Sequence, residues 1–141
     1  MSYQIDIRSY HLGVIFAFSE MVAFDVKKMA LSLPFLPKHY ERLAGEARGI
    51  AKEQQVKIRL EKRILTTDLF PEEFTRGKWV LIIYKSPKVL QTYLHLKSKK
   101  AQLLKEGRYK GKERKAIAIG LGKLLSYRLD VIKDKLQKAG E

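Results

Sequence analysis

The chain predicts an α+β fold: a helix-dominated single domain over residues 1–141, with a small, about three-stranded sheet covered by helices. Three observations predict it. A length of 141 residues gives room for one core and none for a comfortable second. Apolar residues make up 45% of the chain and charged residues 31%, a balance that folds rather than remaining disordered. The hydrophobic pattern alternates between periods of two and 3.6 in the order β-α-α-β-β-α-α-α, without an internal repeat or low-complexity linker.

Each element has its own signal. Tyr3, Ile5 and Ile7 alternate with polar neighbours, which predicts a first strand over residues 3–8. Ser9 then caps a helix from about Tyr10 to Leu31. That helix is apolar on nearly all sides between Leu12 and Phe24, so it belongs in the core or under a second subunit. Pro34 ends it, and Pro37 suits the first turn of the next helix. Tyr40, Leu43, Ala44, Ala47 and Ala51 form that helix's apolar stripe. Gly45 and Gly49 would permit close approach of another helix.

From Val56 the period changes. Val56, Ile58 and Leu60 alternate with Lys57, Arg59 and Glu61, giving a half-buried strand. Thr66 to Lys78 is a long loop with one helical turn near Pro71. Trp79 to Tyr84, a β-branched and aromatic run between lysines, predicts a strand that pairs antiparallel with the previous one. Ser86 and Pro87 open a helix reaching about Glu106, with Gly107 as its stop. Two further helices follow, from about Glu113 to Tyr127 and from about Leu129 to Lys138. Gly120 and Gly122 offer a neighbouring helix a close contact.

Composition removes several kinds of chemistry. With no cysteine, disulfides and thiolate metal sites are excluded. His11, His39 and His95 are far apart in sequence, so neither a metal nor a cofactor is expected. Gly120 to Lys123 lacks the remainder of a phosphate-loop pattern, and no serine lies in a nucleophile elbow. The start lacks a basic export signal, and the longest apolar run is 13 residues against the roughly 20 a bilayer needs. The expected location is cytoplasmic, with no membrane partner. Absence of Asn and Cys beside many Lys and Glu matches a thermophile's composition.

Charge carries the functional expectation. Residues 1–75 hold 11 Lys+Arg against 10 Asp+Glu, whereas residues 76–141 hold 18 against 5. Residues 85–115 alone carry 11 basic and two acidic side chains, with Tyr93, His95 and Tyr109 among them. Clustered cations bind phosphates and exposed aromatics stack on bases. The helical projection turns Tyr93 toward the core, and Lys97 and Lys100 into the apolar half, where they would have to snorkel. The candidate polyanion contacts are Lys99, Arg108, Lys110, Lys112, Arg114 and Lys115, with Tyr109 as a stacking residue. RNA is the favoured partner and an enzymatic role is not favoured.

Two alternatives remain. One is a homo-oligomer, in its simplest form a dimer through the helix over residues 12–24. The other is an enzyme on a small anionic substrate using the Thr66–Lys78 loop, with Asp68, Arg76 and Lys78 as ligand-binding residues and Glu20 or Asp68 as the acid–base group. Glu20, the one ionisable group between Leu12 and Phe24, is read as a buried acid, held in an ion pair or acting as an acid–base group.

Overall fold

Asp6 sets the start of the first helix. A computed structural model describes residues 4–140. In it the Asp6 carboxylate accepts hydrogen bonds from the Arg8 backbone N–H (3.3 Å) and the Ser9 hydroxyl (2.7 Å). Side-chain capping of this kind satisfies a helix N-terminus, and helix α1 runs Ile7–Ala23. The strand expected over residues 3–8 is therefore corrected: Ile7 and Arg8 are helical, Gln4 to Asp6 form no strand, and Tyr3 lies outside the described residues.

The helix also stops eight residues sooner than its pattern suggests. Asp25 adopts φ 62°, and the Val26 N–H closes back onto the Met21 carbonyl at 2.8 Å. The chain released by this stop supplies the third strand, β1, Met29–Leu31. Helix α2, Tyr40–Gln54, follows a single 3-10 turn at Pro37–His39. Strands β2, Lys57–Glu61, and β3, Val80–Tyr84, lie close to their expected places. Helices α3, Pro87–Lys105, α4, Gly111–Leu124, and α5, Leu129–Ala139, complete a helix-dominated α+β fold.

Two compact units form. The first comprises Met1–Ile64 and Gly77–Lys85, the second Leu65–Arg76 and Ser86–Glu141. In the first, β3 is the central strand of the order β1-β3-β2 and pairs antiparallel with both neighbours. The register sets Ala30 and Ile58 beside Ile83. These share a core with Ile15 and Val22 of α1, Leu43, Ala47 and Ala51 of α2, and Leu81. Each large aliphatic side chain buried this way stabilises the fold by about 1.5–3 kcal/mol. The apolar stripe of α2 is buried as its spacing demands, but Gly45 and Gly49 face open space, so no close helix contact forms there.

In the second unit Ser86 caps α3 by accepting from the Lys88 N–H at 3.3 Å, with Pro87 in the first turn. Gly107, at φ 68°, ends the helix, and the Arg108 N–H returns to the Leu103 carbonyl at 2.8 Å. Gly120 and Gly122 of α4 do admit their neighbours closely. A methyl group on Gly120 would sit 2.9 Å from Leu96 of α3, and one on Gly122 would sit 2.7 Å from Ile132 of α5. The loop is fixed to α3 by the Leu65 N–H, which donates to the hydroxyl of fully buried Tyr93 at 2.9 Å.

Folding also redistributes the charge. The first unit holds 13 Lys+Arg against 7 Asp+Glu, and the second 16 against 8. The contrast between sequence halves shrinks to +6 against +8, because the acidic loop joins the basic helices.

Candidate functional site

The loop and the three helices of the second unit build one connected constellation. Arg114, one turn into α4, donates from Nε to Asp68 Oδ2 at 2.8 Å and from Nη2 to Oδ1 at 2.7 Å. The guanidinium holds the Asp68 carboxyl below its usual range, and the carboxylate raises the arginine in turn. Lys100 of α3 snorkels as its position in the apolar half of the helix requires. Its Nζ donates to the Thr66 carbonyl at 2.7 Å and the Thr66 hydroxyl at 2.8 Å. Burial pulls the Lys100 ammonium below the usual lysine range. Both Lys100 and Arg114 stand over the Tyr109 ring, at 5.1 and 5.0 Å from its centre. The half-buried Tyr109 hydroxyl is raised, chiefly by burial.

These groups line a cavity of about 810 Å³. One wall is the loop from Thr66 to Glu73, and the others are Lys100 and Leu104 of α3, Tyr109, Arg114, and Lys135, Lys138 and Ala139 of α5. Lys135 stands over Phe70 at 5.1 Å and Tyr127 at 5.8 Å. A second concavity, of about 630 Å³, opens at the start of α4 between Asp68, Gly111, Arg114, Lys115, Lys133, Leu136 and Gln137.

Cations in this unit divide by type. All four arginines are bound to carboxylates: Arg76 to Glu72, Arg108 to Glu106 and Glu113, Arg114 to Asp68, and Arg128 to Asp130. A planar guanidinium fork fits a carboxylate better than a point-like ammonium does. Most of the lysines are left over. Lys99, Lys110, Lys112, Lys115 and Lys133 are exposed and have no hydrogen bond or ion pair among the described residues.

The expected polyanion residues thus separate. Lys110, Lys112 and Lys115 cluster at the entrance to α4, where Lys115 shares the second concavity with Lys133. Lys99 is exposed on α3 and lines neither cavity. Arg108 and Arg114 are engaged internally, and Tyr109 is half-buried beneath two cations. Of the loop residues, Asp68 lines both cavities and Arg76 pairs with Glu72 in the open, whereas the half-buried Lys78 belongs to the first unit.

Glu20 requires correction. It is exposed, and the buried polar side chain of that turn is its neighbour Ser19, whose hydroxyl has no hydrogen-bond partner. Only the side of α1 carrying Ile15, Ser19 and Val22 is fully buried. One residue of rotation, about 100°, turns Glu20 toward water. A second apolar stripe lies beside it. Tyr10, Gly13, Ala17, Met21 and Phe24 follow helical spacing and are all exposed, Phe24 to 73%.

Sequence reasoning missed Phe70, Tyr127 and Lys135, because their meeting depends on how α5 packs. Lys100 had a usable signal, an ammonium set among Leu96, Tyr93 and Leu104. Among the described residues no three His, Asp or Glu side chains form a metal-ligating group, and no helix is long and apolar enough to cross a membrane. Comparison with known proteins finds no matching family model, no matching curated protein and no matching solved structure.

Proposed function

We propose that the chain binds a polyanion, with structured RNA favoured, through the lysines around the turn between α3 and α4. One observation carries this reading: the arginines of the second unit are neutralised by its carboxylates, while Lys99, Lys110, Lys112 and Lys115 are exposed and uncompensated. The first turn of α4 adds the positive end of a helix dipole at the same place. Affinity would come from phosphate contacts, with little reading of bases, since Tyr109 is already covered by cations. The chemistry is binding rather than catalysis. The test is fluorescence anisotropy with a structured RNA across a salt series. Each phosphate neutralised contributes about −0.9 to the slope of log K against log salt. Lys112→Ala with Lys115→Ala should flatten that slope by about two. Binding that is absent, or insensitive to salt, rejects the reading.

A second reading, self-association through α1, is favoured by the solvent-facing stripe Tyr10, Gly13, Ala17, Met21 and Phe24. It is roughly 20 Å long at 1.5 Å per residue, and apolar patches of such extent commonly mark interfaces. Symmetric pairing would lay the stripe against its copy around Ala17, with Gly13 leaving room for a facing side chain. Sedimentation equilibrium should give a dimer that Ala17→Glu converts to a monomer. A monomer at every concentration from 5 to about 200 µM removes this reading, on the ordinary micromolar scale of weak association.

A further inference from the structure

We infer that the 810 Å³ cavity of the second unit is a binding site for a small organic phosphate monoester. The argument starts from what remains after the internal ion pairs are matched. Arg114 is neutralised by Asp68, and Lys138 by Asp134 at 3.1 Å. Among the cations Lys100 and Lys135 are left; of the other lining carboxylates Glu72 is taken by Arg76, and Glu73 is exposed. Both lysines are half-buried, and neither meets a carboxylate at ion-pair distance: Lys100 is held by the two oxygens of Thr66, and Lys135 by the faces of Phe70 and Tyr127. Glu72 and Asp68 act on Lys100 only at longer range, so two partly desolvated ammonium groups without a direct carboxylate partner face one cavity, which favours an anion and, with two of them, a dianion.

The donor chemistry selects phosphate over carboxylate. A carboxylate is best taken by a guanidinium fork, and the cavity's one fork already grips Asp68 on both arms. Lysines serve phosphate as point charges. The volume lies within the range of small-molecule pockets, about 300–1,000 Å³. Leu69, Phe70 and Leu104 add an apolar lining for the organic part. The phosphate could belong to a free metabolite or to the end of a nucleic-acid strand; the monoester group is common to both. This site is independent of the exposed lysines of the proposed polyanion surface.

The experiment is titration of the full chain with adenosine 5′-monophosphate, followed by two-dimensional amide NMR, with adenosine and succinate as controls. Adenosine 5′-monophosphate is expected to shift resonances of the Thr66–Phe70 loop, Lys100 and Lys135, with neither control reproducing the effect. Lys135→Gln, at a position that forms no hydrogen bond, should weaken binding at least tenfold while preserving the thermal midpoint. Lys112→Ala with Lys115→Ala should leave this binding unchanged, which separates it from the polyanion surface. An RNA oligonucleotide with a 5′-phosphate, compared with its 5′-hydroxyl form, distinguishes a strand end from a free metabolite. No shifts at millimolar ligand, equal binding by succinate, or unaltered binding by Lys135→Gln would each overturn the inference.

Discussion

Arg114 holds Asp68 with two nearly equal hydrogen bonds, 2.8 and 2.7 Å, across 46 residues of sequence. The pair ties the loop of the second unit to the first turns of α4, and it stands between the two concavities. Charge-assisted, bidentate pairs are the strong members of their class. This one is about half open to solvent on the arginine side, so screening reduces its worth.

Asp68→Asn should therefore destabilise the chain by about 1 kcal/mol, at the low end for a bidentate pair because of that exposure. The pH dependence has a definite sign. Asp68 titrates below its usual value, chiefly through its bond to Arg114, so the stabilisation is present above the unfolded-state pKa near 3.8. It is lost as pH falls from there through the lower folded-state value. Urea unfolding at pH 7 and pH 3 checks this, with the wild-type advantage over Asp68→Asn smaller at the lower pH.

Glycine substitutions should divide sharply by position. Gly122→Ala places a methyl group 2.7 Å from fully buried Ile132, and overpacking of that kind costs about 1–3 kcal/mol. Gly45→Ala meets nothing within 4 Å, so helix propensity alone operates and stability should rise by up to about 1 kcal/mol. Equal midpoints for the two variants in denaturant unfolding would refute the packing argument.

Gln55 offers a stabilising change. It ends α2 at φ 61°, a left-handed conformation that suits glycine. Gln55→Gly is expected to gain about 0.5–1 kcal/mol, of the order of the cost an L side chain bears there. The Val56 N–H already closes onto the Ala51 carbonyl at 2.9 Å, so the backbone has no need to move. A lower thermal midpoint for this variant would contradict the prediction.

His11 predicts a second, milder acid response. Burial, and then the proximity of His39, push its pKa below 6.5, and its buried Nδ1 has no hydrogen-bond partner. The unfolded chain therefore takes up the proton first. Stability is full above pH 6.5 and falls as pH drops through the interval down to the lower folded-state value. Thermal midpoints between pH 7.5 and 5 should fall for the wild type and fall less for His11→Gln. An NMR titration placing His11 above 6.5 would disprove it.

Much of the fold was legible because its signals are local. β3 shows itself as an unbroken apolar run because its residues from Val80 to Ile83 are buried whichever way they point. Ser86, Pro87 and Gly107 mark α3 by their own backbone chemistry. Helix ends without glycine carried no residue signal of their own, and only the change of period at Val56 marked one of them, the end of α2. Asp25, Gln55 and Ser126 all take positive φ and close the same reverse bond that Gly107 makes, yet none advertises it in sequence. Missing the stop at Asp25 hid β1 and left the N-terminal alternation to be taken for the third strand. Glu20 failed for a related reason: a run apolar on every side does not say which side meets water. The candidate site was legible as a basic stretch and a long loop. The partnership of Asp68 with Arg114 was not, because nothing short of tertiary packing brings the two together.

The place of β3 in the sheet constrains the order in which the chain can assemble. β1 and β2 pair with β3 and not with each other, and β3 is made after the loop segment Leu65–Arg76 that belongs to the other unit. During synthesis the first 79 residues thus hold two outer strands with no ladder to join. The emergence of Val80–Tyr84 completes the first unit at one stroke, after 12 residues of the second have already been laid down. A ribosome-bound chain cut short before that strand should be protease-sensitive throughout, and one extended past Lys85 should acquire a resistant sheet.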